Sequence, residues 1–305
     1  MAIETEIKRI NISEGCNGKC EDCERYFECN LPLKEKWREK GIFRLIGENL
    51  KHVKHKVVVL GGKGGVGKSM LAVNVAAALS LLGRKVCILD QVYDCPAIPM
   101  MMGVPKDARL VIGDKGLIPF EGRLGIKIVS TGLILDPDEI IVWFHDMKRN
   151  ATEEFLAAVD YSDVDYLITD IPAGTSSETV NILKYLPGIN SSLVITVPSE
   201  VSQNVARKCI YLLKKAGIPI TGVVENMGAS LCSNCGSIVA PLQMGGGEKM
   251  AQGESVPFLG MIPASVNISR SLDEGKPFVI QYPDSDKTKV IKRIAEAVVK
   301  HCEDK

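Results

Sequence analysis

A glycine-rich loop with two lysines carries the clearest chemical signal in this sequence. Residues 61–69 read GGKGGVGKS and satisfy the pattern G-x-x-x-x-G-K-[ST] from Gly62 to Ser69. Glycines let the backbone curl so that its N–H groups point at phosphate oxygens, and the N-terminus of a following helix attracts the same anions. We therefore predict a site for ATP or ADP, with Lys68 at the β- and γ-phosphates and the Ser69 hydroxyl on Mg²⁺. The predicted nucleotide contacts in the loop are Gly62, Lys63, Gly64, Gly65, Val66, Gly67, Lys68, Ser69 and Met70.

Two aspartates, Asp90 and Asp170, each follow a short apolar run that reads as a buried strand. Carboxylates at the carboxyl ends of parallel strands face the ligand crevice of an open α/β sheet. Such carboxylates hold Mg²⁺ directly or through its water ligands. We therefore predict that both aspartates join Ser69 in binding the ion; the alternative for either one is a local capping role.

The chain contains ten cysteines, and six of them form two compact groups. The first group is Cys16, Cys20, Cys23 and Cys29, and the second is Cys232 and Cys235. Disulfides are rare in a reducing compartment, so metal binding or redox chemistry is the expected use of these thiols. Four neighbouring thiolates suit either tetrahedral Zn²⁺ or a [4Fe–4S] cube, and the spacing of the first group leaves both open.

The second group supplies only two ligands. A homodimer completes the set if the same pair from each subunit meets on the two-fold axis. The alternatives are a redox dithiol or a lone metal knuckle whose other ligands come from elsewhere in the chain. We predict the dimeric site, with Cys232 and Cys235 of both subunits around one metal centre.

These candidate sites need a scaffold, and the sequence after residue 50 provides its elements. Short runs rich in Val, Ile and Leu, bounded by turn residues, predict strands at 57–60, 86–89, 126–129, 166–169, 193–197, 220–224 and 258–262. Helical stretches include 69–82, 152–159, 199–216 and 287–301. This alternation predicts an α/β fold, a mainly parallel sheet flanked by helices. We assign residues 1–50 to a cysteine-rich N-terminal segment and residues 51–305 to the nucleotide-binding domain.

The composition of the chain argues against several classes of function. Lys+Arg and Asp+Glu are both 37, so no basic excess predicts nucleic-acid binding. Hydrophobic residues make up 46% of the chain, which is ordinary for a globular protein. The first thirty or so residues are polar, without the apolar core of a signal peptide, and no apolar run is long enough to span a bilayer. We expect a cytoplasmic protein that binds neither membrane nor nucleic acid.

Several motifs together resemble the Mrp family of iron–sulfur carrier ATPases, within the MinD/ParA superfamily. The resemblance runs from about Lys56 to Val279. It includes a deviant Walker A loop with Lys63 inside it, DIPAGT at 170–175, GVVENM at 222–227 and GGGEK at 245–249. Cys20, Cys23 and Cys29 match the last three cysteines of the N-terminal extension in the eukaryotic-type branch, whose first cysteine usually stands farther away than Cys16 does.

The resemblance implies an ATP-dependent homodimer in which Lys63 reaches the partner's nucleotide. It also implies that Asn226 hydrogen-bonds the adenine and that the Pro263 region lies against that base. The implied activity is to bind [4Fe–4S] clusters and pass them to apo iron–sulfur proteins, with weak hydrolysis of ATP to ADP and phosphate.

Two departures from the family pattern concern hydrolysis. The family usually has a second aspartate two residues after the first, where this chain has Val92, and a Gly-Asp where it has Ser176 and Ser177. The aspartate that the family has at position 92 helps to orient the attacking water, so we predict slow turnover of ATP. The predicted catalytic residues are Lys63, Lys68 and Asp90, with Asp94 as a substitute for the missing aspartate.

Two other functions fit parts of the sequence. A dedicated maturation factor that inserts metal into one target enzyme would use the same dimer-axis thiols. A MinD- or ParA-like spatial organiser would use an amphipathic C-terminal helix on a membrane, and residues 287–301 are amphipathic. The simpler interpretation of that helix is packing against the sheet.

Overall fold

The computed structural model describes residues 16, 20, 23, 25–39, 41–136, 141–231, 235–240, 242 and 245–304. The strands are β1 (His55–Gly61), β2 (Val86–Asp90), β3 (Val111–Gly113), β4 (Gly116–Ile118), β5 (Phe120–Glu121), β6 (Lys127–Val129), β7 (Tyr166–Asp170), β8 (Ser191–Thr196), β9 (Gly222–Gly228), β10 (Ser230–Leu231), β11 (Ile238–Val239) and β12 (Phe258–Pro263). The α-helices are α1 (Pro32–Arg38), α2 (Gly41–Leu50), α3 (Lys68–Leu81), α4 (Ile98–Met101), α5 (His145–Ala158), α6 (Ser177–Tyr185), α7 (Glu200–Lys215), α8 (Gly246–Gly253), α9 (Val266–Asp273), α10 (Phe278–Gln281) and α11 (Asp286–Glu303). Short 3₁₀ helices lie at Tyr26–Glu28, Arg123–Gly125 and Thr131–Leu133.

Eight strands form the central sheet in the order β12-β9-β8-β1-β7-β2-β6-β5. Neighbours are parallel except β5, which pairs antiparallel with β6 at one edge. The predicted α/β fold with a mainly parallel sheet is therefore confirmed. All seven predicted strands are present, within two residues at their starts and four at their ends.

Two layers of apolar side chains cover the two faces of the sheet. On one face α3 is buried along almost its whole length, because its run of Ala, Leu and Val presents apolar atoms on every side. Helix α11 packs on the same layer through Ile291, Ile294 and Val298, each fully buried. The predicted amphipathic C-terminal helix thus uses its apolar face for the core, as in the simpler interpretation.

Helix α2 belongs to the layer on the other face. Ile46 and Leu50 are fully buried there, in one cluster with Leu167 of β7 and Leu183 of α6. The sequence analysis placed these residues in the cysteine-rich segment and did not predict a helix there. The apolar residues of α2 follow a helical spacing, with Phe43, Ile46 and Leu50 on the buried side.

In the part of the chain that the structure describes, none of the helices combines the length and the apolar character needed to cross a bilayer.

Candidate nucleotide and metal sites

The glycine-rich loop joins the end of β1 to the start of α3. Gly65 and Gly67 have φ values of +76° and +97°, in the left-handed region that a side chain disfavours. A Cβ atom on Gly67 would lie 2.3 Å from Asn226 Nδ2, and one on Gly62 would lie 2.5 Å from Val205 Cβ. The loop is therefore curled and closely packed from two sides, which is the shape needed to surround phosphate groups with N–H donors.

Lys68 lies within this loop, and 8% of it is exposed. Its Nζ donates to the backbone carbonyl of Lys63 at 3.3 Å, across the loop. Burial lowers the pKa of the ammonium, and the neighbouring Asp170 opposes that shift. Lys63 itself is exposed, so the two loop lysines differ in access to solvent; its contact with a partner's nucleotide stays a prediction.

Asp90 and Asp170 stand side by side at the ends of β2 and β7, as directly paired residues of the parallel ladder. Asp90 Oδ1 accepts from the Val92 N–H and Oδ2 from the Ser130 hydroxyl, both at 3.0 Å. Asp170 Oδ2 accepts from the Ser69 hydroxyl at 2.5 Å. Both carboxylates are buried, and their pKa values are raised first by burial and, for Asp90, also by the charge of Asp170.

The side chains of Asp90, Asp170 and Ser69 are suited to bind a divalent cation. Asp170 Oδ1 is buried and has no hydrogen-bond partner among the described residues. Two adjacent buried carboxylates and a hydroxyl form a hard oxygen donor set, which Mg²⁺ prefers. The structure therefore brings together the three predicted ligands Ser69, Asp90 and Asp170 around a place where a divalent cation would satisfy the unpaired oxygen.

A second charged cluster lies beside this site and was missed by the sequence analysis. Lys148 of α5 donates to Asp94 Oδ2 at 2.8 Å and to Glu178 Oε1 at 2.6 Å. Burial alone would raise the pKa of Glu178, but hydrogen bonds from Lys148 and from the first turn of α6 lower it to about 2. Asp94, predicted as the substituting catalytic carboxylate, is thus bound to a lysine and stays half exposed.

Asn226 lies near the end of β9 and is buried. Its Nδ2 donates to the carbonyl of Val66 at 2.9 Å, so the side chain contacts the glycine-rich loop itself. Pro263 ends β12, the strand next to β9, in register with Gly228. Asn226 therefore contacts the loop, and Pro263 lies on the strand next to it; the contacts of both residues with an adenine stay a prediction.

The four cysteines of the first group lie near one another. Cys20 and Cys29 are buried, whereas Cys16 and Cys23 are exposed. Burial is the main factor that raises the pKa of the Cys20 thiol; the other three thiols raise it further, and Lys184 opposes the rise. Among the described residues, however, no three Cys, His, Asp or Glu side chains converge closely enough to hold one metal ion.

Cys235 of the second group lies between β10 and β11, which form a small antiparallel ribbon. Cys235 is exposed and its Sγ lies 2.7 Å from the Ser237 hydroxyl. Cys232 lies outside the described residues. Ile238 and Val239 of β11, three and four positions after Cys235, expose 65% and 47% of their surface.

Comparisons with known proteins agree with this geometry. Residues 52–299 match a family described as ParA, NUBPL iron-transfer P-loop NTPase. The iron-sulfur cluster carrier protein of Methanocaldococcus jannaschii is 37% identical over 93% of this chain and 97% of its own length. The cytosolic Fe-S cluster assembly factor NUBP2 of Bos taurus is 36% identical over 82% of this chain and 94% of its own length.

Solved structures show the same fold. A nucleotide-binding protein from Archaeoglobus fulgidus, solved in complex with ADP, superposes with a TM-score of 0.69 at 28% identity and covers 80% of this chain and 94% of its own. The cell division ATPase MinD of Pyrococcus furiosus has a TM-score of 0.61 at 22% identity, covering 81% and 99%. At that identity the second likeness concerns the fold alone.

Proposed function

Because the chain belongs to the NUBPL iron-transfer P-loop NTPase family, we propose that it is an ATP-binding carrier that holds [4Fe–4S] clusters and passes them to apo iron–sulfur proteins. One observation carries this proposal. Strand β9 brings Asn226 to the glycine-rich loop, and the chain then runs directly into β10 of the ribbon that presents Cys235. A change at the nucleotide loop is therefore connected to the exposed thiol through one short stretch of backbone.

In this proposal the loop binds the nucleotide phosphates. Lys68 lies inside the loop and neutralises the β- and γ-phosphates, while the backbone N–H groups of the glycines donate to their oxygens. Mg²⁺, held by Ser69, Asp90 and Asp170, would neutralise further phosphate charge. A divalent cation would balance the charge of the buried carboxylate pair once its protons leave, so binding of the ion and of the negatively charged nucleotide would favour each other.

The cluster is the cargo, and two copies of the chain are needed to hold it. Cys232 and Cys235 from each copy supply four thiolates on a two-fold axis, the usual ligand number for a [4Fe–4S] cluster. Ile238 and Val239, which follow Cys235 in the chain, are exposed and offer apolar surface for a contact between two copies. Lys63 from each copy would reach the other's nucleotide. ATP controls the carrier only if it binds one dimer arrangement more tightly than another.

Hydrolysis is proposed to be slow. Val92 replaces the aspartate that would orient water, and the nearby Asp94 carboxylate is bound to Lys148 at 2.8 Å. Asp94 can serve as the substitute only after it leaves that lysine, which costs a charge-assisted hydrogen bond.

Anaerobic reconstitution with iron and sulfide tests the proposal. The wild type is compared with Cys235→Ser and with Cys95→Ser, a matched control because Cys95 is also exposed but lies outside both cysteine groups. We expect the wild type to bind about four iron atoms per pair of chains at this site and to activate an apo iron–sulfur enzyme. Cys235→Ser should lose both properties and Cys95→Ser should keep them. Equal transfer by Cys235→Ser, or a wild type that stays monomeric with ATP and cluster, would contradict the proposal.

A further inference from the structure

We infer that a cavity between the cysteine segment and the nucleotide-binding domain is a binding site for a small organic anion, one that carries a carboxylate or a phosphate group. The inference goes beyond the proposed function, because it assigns a ligand to a place whose walls include neither the glycine-rich loop nor Cys235. It rests on two buried polar groups that line the cavity and have no hydrogen-bond partner among the described residues.

The cavity has a volume of about 460 Å³ and lies where four elements meet. Its walls come from the 3₁₀ turn at Tyr26–Glu28, the start of α5, one side of α6 and the end of α7. This volume is within the range of natural small-molecule sites. Of the four N-terminal cysteines only Cys23 is among the described residues that line it, so the inference does not depend on a metal at that group.

Asn181 and Tyr26 are the two residues that indicate a ligand. Asn181 of α6 is 6% exposed and Tyr26 is 5% exposed. The Asn181 Nδ2 and the Tyr26 hydroxyl are buried atoms without a hydrogen-bond partner in the part of the chain that the structure describes. An unpaired buried polar group costs free energy, and native proteins keep few of them. Two such groups in the wall of one cavity therefore indicate a molecule that accepts their hydrogen bonds.

Both groups are able to donate, and this determines the chemistry of the ligand. The amide Nδ2 carries two N–H donors and no acceptor, and the phenol O–H also donates. Hydrogen bonds to an ionised carboxylate or phosphate are shorter and about twice as strong as those between neutral groups. We therefore expect the ligand to place its acidic group against Asn181 and Tyr26.

The charged side chains around the cavity favour the same sign of ligand. Lys184, Lys215 and His145 line it, whereas the described lining residues include no Asp or Glu. Both lysines also have contacts of their own: Lys184 donates to the Cys20 carbonyl at 2.9 Å, and Lys215 is ion-paired with Glu28 at 2.5 Å. Because an ammonium carries three N–H donors, the ion-paired Lys215 can still donate to an anion in the cavity.

The rest of the wall is apolar and holds the Tyr26 ring in position. Phe27, Val180 and Leu212 line the cavity. The Phe27 and Trp37 rings both pack edge-on against Tyr26, at centroid distances of 5.4 Å and 6.0 Å. An apolar wall with a few fixed polar groups is typical of sites for organic molecules, so the ligand is expected to have an apolar part beside its acidic group.

Ligand-observed NMR titrations test this inference with three probes: benzoate, phenyl phosphate and the uncharged benzamide. Saturating Mg²⁺·ADP keeps the glycine-rich loop occupied, so that phenyl phosphate is measured at the cavity. We expect at least one of the two anions to bind, and benzamide to bind about tenfold more weakly than benzoate or not at all. The anion that binds more tightly identifies the acidic group that the site prefers.

Asn181→Leu and Tyr26→Phe each remove one donor group and keep most of the side-chain volume. Each should weaken binding of the anion about tenfold. The matched controls are Asn150→Leu on α5 and Tyr211→Phe on α7, both at exposed positions, and they should bind like the wild type. The inference is overturned if neither anion binds, if benzamide binds as tightly as benzoate, or if both donor variants bind the anions as the wild type does.

The stability of the protein without ligand separates a ligand site from groups that are hydrogen-bonded by trapped water. Removing an unpaired buried donor should leave the urea midpoint of Asn181→Leu and of Tyr26→Phe equal to that of the wild type or above it. Lower midpoints for both variants would also overturn the inference. Tyr26→Phe removes a single oxygen atom, so it keeps the test decisive if Asn181→Leu does not fold. The carrier function, which is tested at Cys235, does not depend on any of these outcomes.

Discussion

At the scale of single residues, the candidate nucleotide site has a feature beyond its phosphate loop, the ion pair between Lys148 and Glu178. Their ion pair is largely buried, at 14% and 9% side-chain exposure, and it extends to Asp94 at the surface. Glu178 lies in the first turn of α6, where a carboxylate is also stabilised by the helix N-terminus. These contacts connect the segment after Asp90 with the helix that follows Asp170, the two places where this chain differs from the family pattern.

The Lys148–Glu178 ion pair makes the stability of the folded protein depend on pH. The pKa of Glu178 falls from 4.5 to about 2 on folding, so its contribution to stability is present above pH 4.5 and is lost as the pH falls towards 2. We expect Glu178→Gln to lower the free energy of unfolding at neutral pH by about 1–2 kcal/mol, less than the full shift because solvent reaches Asp94 at the other end of the cluster. The difference between wild type and variant should shrink as the pH falls through that range.

Urea denaturation at several pH values measures this effect. Glu296→Gln is the control, because Glu296 is exposed on α11. A difference that stays constant between pH 4.5 and pH 2 would contradict the assigned role of Glu178.

At the scale of elements, the glycine-rich loop is the part whose shape the sequence determines most strictly. Gly67 needs a left-handed φ and touches Asn226, whereas a Cβ atom on Gly64 would meet no atom within 4 Å. Both glycines belong to the same loop, but only Gly67 occupies a position where a larger residue would be strained and would collide with a neighbour.

Gly67→Ala should greatly weaken ATP binding, while Gly64→Ala should leave it within a few-fold of the wild type. The first substitution adds a strained backbone conformation, costing roughly 1–2 kcal/mol, and also displaces the Asn226 amide from the loop. Isothermal titration with ATP and Mg²⁺ checks this prediction on folded protein. Equal affinities for the two variants would show that the loop tolerates a different conformation.

The sequence predicts some of these elements well and others not at all. The seven strands are found because each contains a short apolar run, a local signal, and β2, β7 and β8 are buried at every residue. The edge strand β5 has only two residues, too few for any pattern. Lys148 and Lys184 look like ordinary helix-surface lysines in the sequence, and their roles come from partners 30 to 164 positions away. For the same reason, the resemblance found the cysteine group but not the charges beside it.

At the scale of the whole molecule, α6 connects the nucleotide loop with the cysteine segment. The Gly174 N–H donates to the Gly61 carbonyl at 3.0 Å, and the Thr179 hydroxyl donates to the Gly174 carbonyl at 3.0 Å. The same helix ends with Lys184 at Cys20. A cavity of about 460 Å³ beside it is lined by both Cys23 and residues 175–177. A shift of the loop after Asp170 would therefore reach the cysteine segment through one short helix.

We expect Mg²⁺·ATP to change the fluorescence of Trp37, which lies 5.0 Å from the Lys184 ammonium. The measurement uses a Trp143→Phe background, because the chain has two tryptophans. Lys184→Met in that background should reduce the response, since it removes the contact between α6 and the ring. An unchanged Trp37 signal with saturating nucleotide, or an equal response in Lys184→Met, would argue against coupling along α6.

Two of the four N-terminal cysteines are buried and two are exposed. Cys16 and Cys23 face water, whereas Cys20 and Cys29 do not. Burial also raises the pKa of the Cys20 thiol, which lowers the fraction present as thiolate. Oxidants should therefore modify Cys16 and Cys23 before Cys20 and Cys29, because attack needs access as well as a thiolate.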